Sequence, residues 1–201
     1  MTISQKKMNR HPLISSGEKI FNLPNIITMG RIGFIPVLFF LLMDPGLTWS
    51  LVIAFCFVAA ALTDLLDGYL ARKYEIVTKM GQFLDPIADK LIVNTAMILM
   101  IPIGRIPAWA VAITIIRDIA VDGMRSIASG EGLVIDASSL GKKKTLCQTV
   151  AVTALIIHYP FLGIDAHAVG MVILYIALFF TVYSGLDYFI KFYHSTLMGR
   201  E

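Results

Sequence analysis

The chain consists mainly of long apolar stretches separated by short polar segments. A helix that crosses a bilayer needs about 20 consecutive, mainly apolar residues. The pattern predicts six such spans, at residues 24–43, 49–71, 84–103, 107–128, 146–163 and 168–193. These spans use most of the 201 residues. We therefore expect one all-α membrane bundle over residues 21–201 and no separate soluble domain.

Composition supports a membrane protein and excludes several other classes. Charged residues make up 15% of the chain, against about 25% in soluble domains. The mean hydropathy of +0.75 excludes a disordered chain. A net charge of only +3, with no soluble basic domain, argues against a nucleic-acid partner. Cys56 and Cys147 lie in or beside apolar runs, so a disulfide scaffold is excluded too.

Residues 1–20 are polar and basic, and no small-residue cleavage site follows an apolar core, so they do not resemble a signal peptide. They predict either a cytoplasmic segment lying among lipid headgroups or a disordered tail. Lys and Arg concentrate in this segment, in the loops after the second and fourth spans, and at the C-terminal end, whereas the opposite side has Arg105. The positive-inside rule then predicts that both termini face the cytoplasm, across the inner membrane.

Four carboxylates lie where lipid-facing residues are expected. Asp64 and Asp67 are near the end of the second span, and Asp85 and Asp89 are near the start of the third. A charge at the bilayer centre costs roughly 2.5–3.5 kcal/mol on insertion scales. Spacings of three and four place each pair on one helix face, and the short loop makes the two spans antiparallel neighbours. Four facing carboxylates need a compensating cation, and they suit Mg²⁺, Mn²⁺ or Ca²⁺.

Small and basic residues accompany these acids. Gly68 and Ala71 lie on the stripe of the first acidic pair, and Gly81 lies one turn before the second. Small residues leave space for a ligand or for close helix approach. Arg72 and Lys79 add positive charge at the mouth of the site. Together these features indicate a bound diphosphate.

The acids and small residues together form the pattern Asp64-x-x-Asp67-Gly68-x-x-Ala71-Arg72, followed after eight residues by Gly81-x-x-x-Asp85-x-x-x-Asp89. This pattern resembles the signature of the CDP-alcohol phosphotransferase family. Eight fixed residues over 26 positions make this a specific motif. Residues 22–31, 117–125 and 141–145 further resemble the phosphatidylglycerophosphate synthase branch of that family. The match covers nearly the whole chain beyond residue 20.

This resemblance implies transfer of a phosphatidyl group from CDP-diacylglycerol to sn-glycerol 3-phosphate, giving phosphatidylglycerophosphate and CMP, by a homodimer. It implies two Mg²⁺ or Mn²⁺ ions held by Asp64, Asp67, Asp85 and Asp89, with Asp89 also as general base. The residues implied to line the CDP pocket are Gly68, Ala71, Arg72 and Gly81, joined by Asn25 and Thr28. The last two could instead form the polar start of a helix that has Pro24 in its first turn.

A phosphorylated acceptor requires a second cationic site. The candidates for the acceptor phosphate are Arg31, Arg117, Arg125, Lys142 and Lys144. An arginine inside a span is costly unless it is paired, so Arg117 could instead be a structural partner of Asp118 or Asp122. The lysine run equally satisfies the positive-inside rule.

Three other functions fit parts of the pattern. The same family with another acceptor, namely serine, inositol phosphate or phosphatidylglycerol, would keep the acidic motif. An intramembrane prenyltransferase also binds a diphosphate through Asp and Mg²⁺, but it typically has two distant acidic motifs. A small ion transporter would use intramembrane acids, but transporters commonly have repeated halves, and residues 107–201 have no second acidic motif.

Overall fold

A computed structural model describes residues 23–43, 46–73, 79–130, 139–161 and 163–195. The predicted N-terminal segment, residues 1–20, lies outside them. The described residues form six α-helices, and their bounds are α1 Leu23–Leu41, α2 Leu47–Lys73, α3 Lys79–Met100, α4 Ala108–Gly130, α5 Ser139–Ile157 and α6 Ala166–Tyr193. The helical fold class and the number of long helices therefore agree with the sequence pattern.

Two local details differ from the hydropathy pattern. Helix α5 begins at Ser139 rather than near residue 146, because lysines are good helix formers and extend the helix beyond its apolar part. Between α5 and α6, a two-stranded antiparallel hairpin pairs β1 (Pro160–Phe161) with β2 (Ile164–Asp165). Asp165 then caps α6, since its side chain accepts a hydrogen bond from the Ala168 backbone N–H at 3.1 Å.

The six helices pack as a ring. Helix α1 contacts α2 and α3, α2 contacts α5, α5 contacts α6, α6 contacts α4, and α4 contacts α3. Helix α3 also reaches α5 across the ring. Trp109 at the start of α4 stacks on Tyr175 in the first half of α6, with ring centroids 6.0 Å apart, so these two helices run in the same direction.

The two ends of the ring differ in chemistry. We call the end where α1, α3 and α5 begin and α2, α4 and α6 end the motif end, because it carries the acidic motif on α2 and α3. The opposite end holds the apolar core, in which residues from all six helices are buried, among them Leu38, Phe57, Met97, Val111, Leu155 and Leu174. A packed apolar end fixes the helices and leaves the motif end for polar side chains.

Arg105 closes the apolar end. It lies in the loop between α3 and α4 and is 3% exposed. Its guanidinium donates to Ser50 Oγ at 3.1 Å and to the Ile156 carbonyl in the last turn of α5, where helix carbonyls lack partners of their own. Burial lowers the pKa of Arg105, and the neighbouring Tyr159 opposes that shift.

The outward surface of the ring is apolar. Helix α6 exposes a stripe of large side chains at helical spacing, namely Val172, Ile176, Phe179, Tyr183, Leu186 and Ile190. Among the described helices, Ala166–Tyr193 is long and apolar enough by itself to cross a bilayer, with a mean hydropathy of 2.1. Shorter apolar stretches, Leu47–Thr63 on α2 and Lys90–Met100 on α3, lie in the described part of the other helices.

The contact between α5 and α6 depends on Gly170. A Cβ there would lie 2.9 Å from Leu155 Cγ and 3.1 Å from the Leu155 backbone nitrogen. We expect Gly170→Ala to lower the midpoint of thermal unfolding in detergent, because overpacking costs about 1–3 kcal/mol. Gly33→Ala on α1 is the matched control, since its Cβ would meet nothing within 4 Å. Equal midpoints for wild type and Gly170→Ala would contradict the close approach.

Candidate active site

The acidic motif lies on regular helix at the motif end. Asp64 and Asp67 occupy the last three turns of α2, and Asp85 and Asp89 occupy the first three turns of α3. Because both segments are helical, spacings of three and four do place each pair on one helix face. The side chains of residues 64–73 and 79–89 lie outside the part of the chain that the structure describes. Metal ligation by the four acids therefore stays a prediction.

The residues predicted to line the CDP pocket follow the same helices. Gly68, Ala71 and Arg72 are on the last turns of α2, and Gly81 is in the first turn of α3. Asn25, Thr28 and Arg31 lie in the first three turns of α1, which also begins at the motif end. Pro24 is the second residue of that helix, a position that tolerates proline because its N–H has no helical partner. The side chains of these α1 residues also lie outside the described part.

A buried ion cluster joins α4 to α5 beside this motif. Asp118 and Lys144 are each 5% exposed. The Lys144 ammonium donates to both Asp118 oxygens, at 2.6 and 2.8 Å, and Arg117 Nη1 donates to Oδ1 at 3.0 Å. Breaking a buried pair of this kind leaves an uncompensated charge and is strongly destabilising. The sequence left Asp118 and Asp122 as possible structural partners of Arg117, and Arg117 contacts Asp118.

Arg117 is also fixed by α6. Its Nη2 donates to Ser184 Oγ at 2.7 Å. Its aliphatic stem packs over Gly185, where an added Cβ would lie 3.0 Å from Arg117 Cγ. The buried Nε has no hydrogen-bond partner among the described residues. The guanidinium is therefore oriented by a carboxylate on its own helix and by a hydroxyl group on α6.

Asp122 pairs with Lys90, not with Arg117. This ion pair links α4 to α3, and both side chains are partly exposed. Lys90 directly follows Asp89, so Asp122 fixes α4 next to the acidic motif. Asp118 and Asp122 are four residues apart on α4, so the helix presents two carboxylates one turn apart. Three cations and two carboxylates leave this cluster, residues 90, 117, 118, 122 and 144, with one net positive charge.

The remaining acceptor candidates lie apart from this cluster. Arg125 is exposed, and its guanidinium lies 5.8 Å from the centroid of the buried Tyr188 ring. Lys142 is exposed in the first turns of α5. Lys142 and Lys144 are two residues apart, so they point about 200° apart around the helix. The structure thus brings Arg117 and Lys144 together and separates Lys142 and Arg125 from them.

A small cavity lies between α3, α4 and α5 beside the cluster. Its volume is about 50 Å³, and it is lined by Lys90, Val93, Asn94, Asp118, Lys144, Thr145, Gln148 and Thr149. Lys90 and Val93 follow Asp89 by one and four residues on α3, so the cavity lies within one helical turn of that acid. Sequence reasoning missed Lys90, Asn94 and Gln148. The signal that could have identified them is that each is a polar side chain inside an apolar span. Such a side chain needs a polar partner there.

Comparison with known proteins agrees with the motif. The family model for CDP-alcohol phosphatidyltransferase matches residues 21–183. A Bacillus subtilis protein named CDP-diacylglycerol–glycerol-3-phosphate 3-phosphatidyltransferase is 40% identical over 185 residues, covering 86% of this chain and 95% of the relative. A Rickettsia bellii protein of the same name is 36% identical, covering 84% of this chain and 93% of the relative. The chain therefore belongs to the CDP-alcohol phosphatidyltransferase family.

Proposed function

We propose that this protein transfers the phosphatidyl group of CDP-diacylglycerol to sn-glycerol 3-phosphate, giving phosphatidylglycerophosphate and CMP. One observation carries the proposal. The complete acidic motif lies on α2 and α3 at the same end of the bundle as the buried cationic cluster of α4 and α5. A diphosphate donor and a phosphorylated acceptor need these two kinds of site next to each other. The names of the relatives describe the same reaction.

All six helices would cross the membrane, with the motif end and both termini on the cytoplasmic side. The apolar outward faces and the length of α6 support this placement. The basic residues of the motif end favour the cytoplasmic side by the positive-inside rule. CDP-diacylglycerol would then reach the site laterally from the inner leaflet. We expect the homodimer that the family resemblance implies.

The donor atoms of the motif suit two Mg²⁺ or Mn²⁺ ions. Asp64, Asp67, Asp85 and Asp89 supply only carboxylate oxygens, which hard cations prefer. The helical backbone of α2 and α3 puts the members of each pair on one face, as a shared ion requires. When bound, the ions supply charge neutralisation at the diphosphate.

The reaction is a substitution at phosphorus, in which positioning does most of the work. The acceptor hydroxyl attacks the phosphorus that bears the diacylglycerol, a new O–P bond forms, and the bond to the CMP oxygen breaks. Asp89 takes the hydroxyl proton, which requires it to lie within hydrogen-bond reach of the acceptor. Gly68, Ala71, Arg72 and Gly81, with Asn25 and Thr28, hold the CDP group.

Arg117 and Lys144 are the best candidates for the acceptor phosphate. An ammonium group has three donors, so Lys144 can bind Asp118 and still donate to an anion. Arg117 uses one N–H for Asp118 and one for Ser184 out of the five that a guanidinium has. The single net positive charge of the cluster favours an anionic ligand, and a guanidinium in a fixed position suits phosphate. Arg31, Arg125 and Lys142 are left to act nearer the mouth of the site.

CMP release by the purified protein tests the proposed function. The assay contains CDP-diacylglycerol and Mg²⁺ and compares glycerol 3-phosphate, serine and inositol phosphate as acceptors. We expect release with glycerol 3-phosphate only. Release with a different acceptor would keep the family and overturn the acceptor site, whereas no release from folded protein would overturn the proposed reaction.

The acidic motif gives the first prediction for this assay. We expect Asp89→Asn to reduce the rate of CMP release by a factor of about 100 or more, because general acid–base catalysis alone contributes about 10²–10⁴-fold. Removal of divalent ions by EDTA should abolish release, and added Mg²⁺ should restore it. Asp187→Asn is the control, since Asp187 forms an exposed i,i+4 pair with Lys191. Full activity of Asp89→Asn would exclude Asp89 as the base.

Lys144 gives the second prediction. We expect Lys144→Met to raise the KM for glycerol 3-phosphate about tenfold, since a charged hydrogen bond contributes about 1.5–3 kcal/mol, and to leave the KM for CDP-diacylglycerol nearly unchanged. Lys191→Met on α6 is the control for loss of a lysine.

Lys144→Met also leaves Asp118 with Arg117 as its remaining cation among the described contacts, so the fold needs its own control. The double variant Asp118→Asn/Lys144→Met removes the buried pair as a unit and leaves Arg117 with its contact to Ser184, so thermal stability should recover in part. The KM for glycerol 3-phosphate should stay high. If the double variant regained both thermal stability and a low KM for glycerol 3-phosphate, Lys144 would act only through the stability of the bundle.

A further inference from the structure

We propose that Gln148 recognises the C2 hydroxyl group of the acceptor and so determines acceptor specificity. The inference rests on the proposed function, because it names a residue of the same site. It concerns the uncharged polar side chains that line the cavity, which belong neither to the acidic motif nor to the cationic cluster.

Gln148 is a buried amide in the middle of α5. It is 6% exposed, and its Nε2 donates to Met97 Sδ at 3.3 Å. A thioether sulfur is a weak acceptor, so this contact satisfies the amide poorly. No other hydrogen bond to Gln148 occurs among the described residues. A buried amide that lacks good partners is costly, and a ligand group that binds it would remove that cost.

The cavity presents further hydrogen-bonding groups next to Gln148. Thr145 and Thr149 come from the same face of α5, and Asn94 comes from α3. All four side chains are uncharged and carry an acceptor for a ligand hydroxyl group, and the Thr145 hydroxyl itself donates to the Gly141 carbonyl at 3.2 Å within α5. The other polar lining residues are the charged Lys90, Asp118 and Lys144. The cavity thus combines a cationic part with a neutral, hydroxyl-binding part.

The dimensions suit a three-carbon polyol phosphate. Lys144 and Gln148 are four residues apart on α5, so a ligand with its phosphate at Lys144 has its carbon chain about 6 Å further along the helix. A cavity of about 50 Å³ accommodates roughly three to five water-sized groups at 10–15 Å³ each, which matches the three carbons and the C2 hydroxyl group of the acceptor without its phosphate. Lys90 directly follows Asp89 on α3 and lines the same cavity, so the cavity lies next to the proposed base.

An acceptor analogue tests this role directly. 3-Hydroxypropyl phosphate keeps the reacting hydroxyl and the phosphate of glycerol 3-phosphate but lacks the C2 hydroxyl. We expect the wild type to prefer glycerol 3-phosphate in kcat/KM by about 100-fold or more, because a site built to bind a hydroxyl rejects the analogue that lacks it. In Gln148→Met, a substitution of similar length, the preference should fall below about tenfold, mainly through the loss of activity with glycerol 3-phosphate.

Thr153→Val is the matched control. Thr153 lies on the same helix, but its hydroxyl donates to the Thr149 carbonyl at 2.8 Å within α5. The Thr153→Val variant should therefore retain the wild-type preference for glycerol 3-phosphate over 3-hydroxypropyl phosphate. If Gln148→Met lowers activity equally with both acceptors, or changes only the midpoint of thermal unfolding, the residue has a structural role and the inference is overturned.

Binding separates this inference from the proposed reaction. Calorimetry without CDP-diacylglycerol measures the Kd of the detergent-solubilised protein for each of the two phosphates. Tighter binding of glycerol 3-phosphate by the wild type, with the difference lost in Gln148→Met, supports the inference even if no CMP is released. Equal binding of the two phosphates by the wild type, or no binding of either, overturns it whatever the turnover shows.

Discussion

The ion pair between Asp118 and Lys144 sets the arrangement of the motif end. Two charges at 5% exposure are tolerated because the ammonium contacts both carboxylate oxygens and Arg117 adds a third contact. The pair joins α4 to α5, and Arg117 extends the connection to Ser184 on α6. Three helices are therefore held at the distance that leaves the cavity open beside α3. Hydrophobic contacts alone, which have no direction, would close such a gap.

Apolar packing at the opposite end makes this polar arrangement possible. The core cluster takes residues from all six helices, and Arg105 closes it by donating to Ser50 and to the end of α5. Gly170 lets α6 approach α5 closely in the same half. Since the helices are fixed there, the motif end can hold buried charges and a cavity. The bundle thus separates its stabilising contacts from its proposed chemistry along the helix axes.

The sequence was sufficient to predict the helices and the acidic motif. Apolar spans of about 20 residues and Asp pairs at helical spacing are local signals, and they depend on little beyond helix geometry. The partners of the charges were not predictable in the same way. Whether Arg117 contacts Asp118, Asp122 or a ligand depends on how α4 packs on α5 and α6, which is a tertiary property. Gln148 was missed because a single glutamine in an apolar helix has no motif around it.

The pairing of α4 with its neighbours also bears on the selectivity of the site. Four carboxylates on α2 and α3 attract any nearby cation, including the lysines at positions 90 and 144. Asp122 and Asp118 bind these two lysines from α4. Coulomb attraction falls with distance, and a lysine already in contact with one carboxylate gains less from moving to another. The two α4 carboxylates therefore keep these lysines away from the acidic motif and leave it free for the metal ions that we propose.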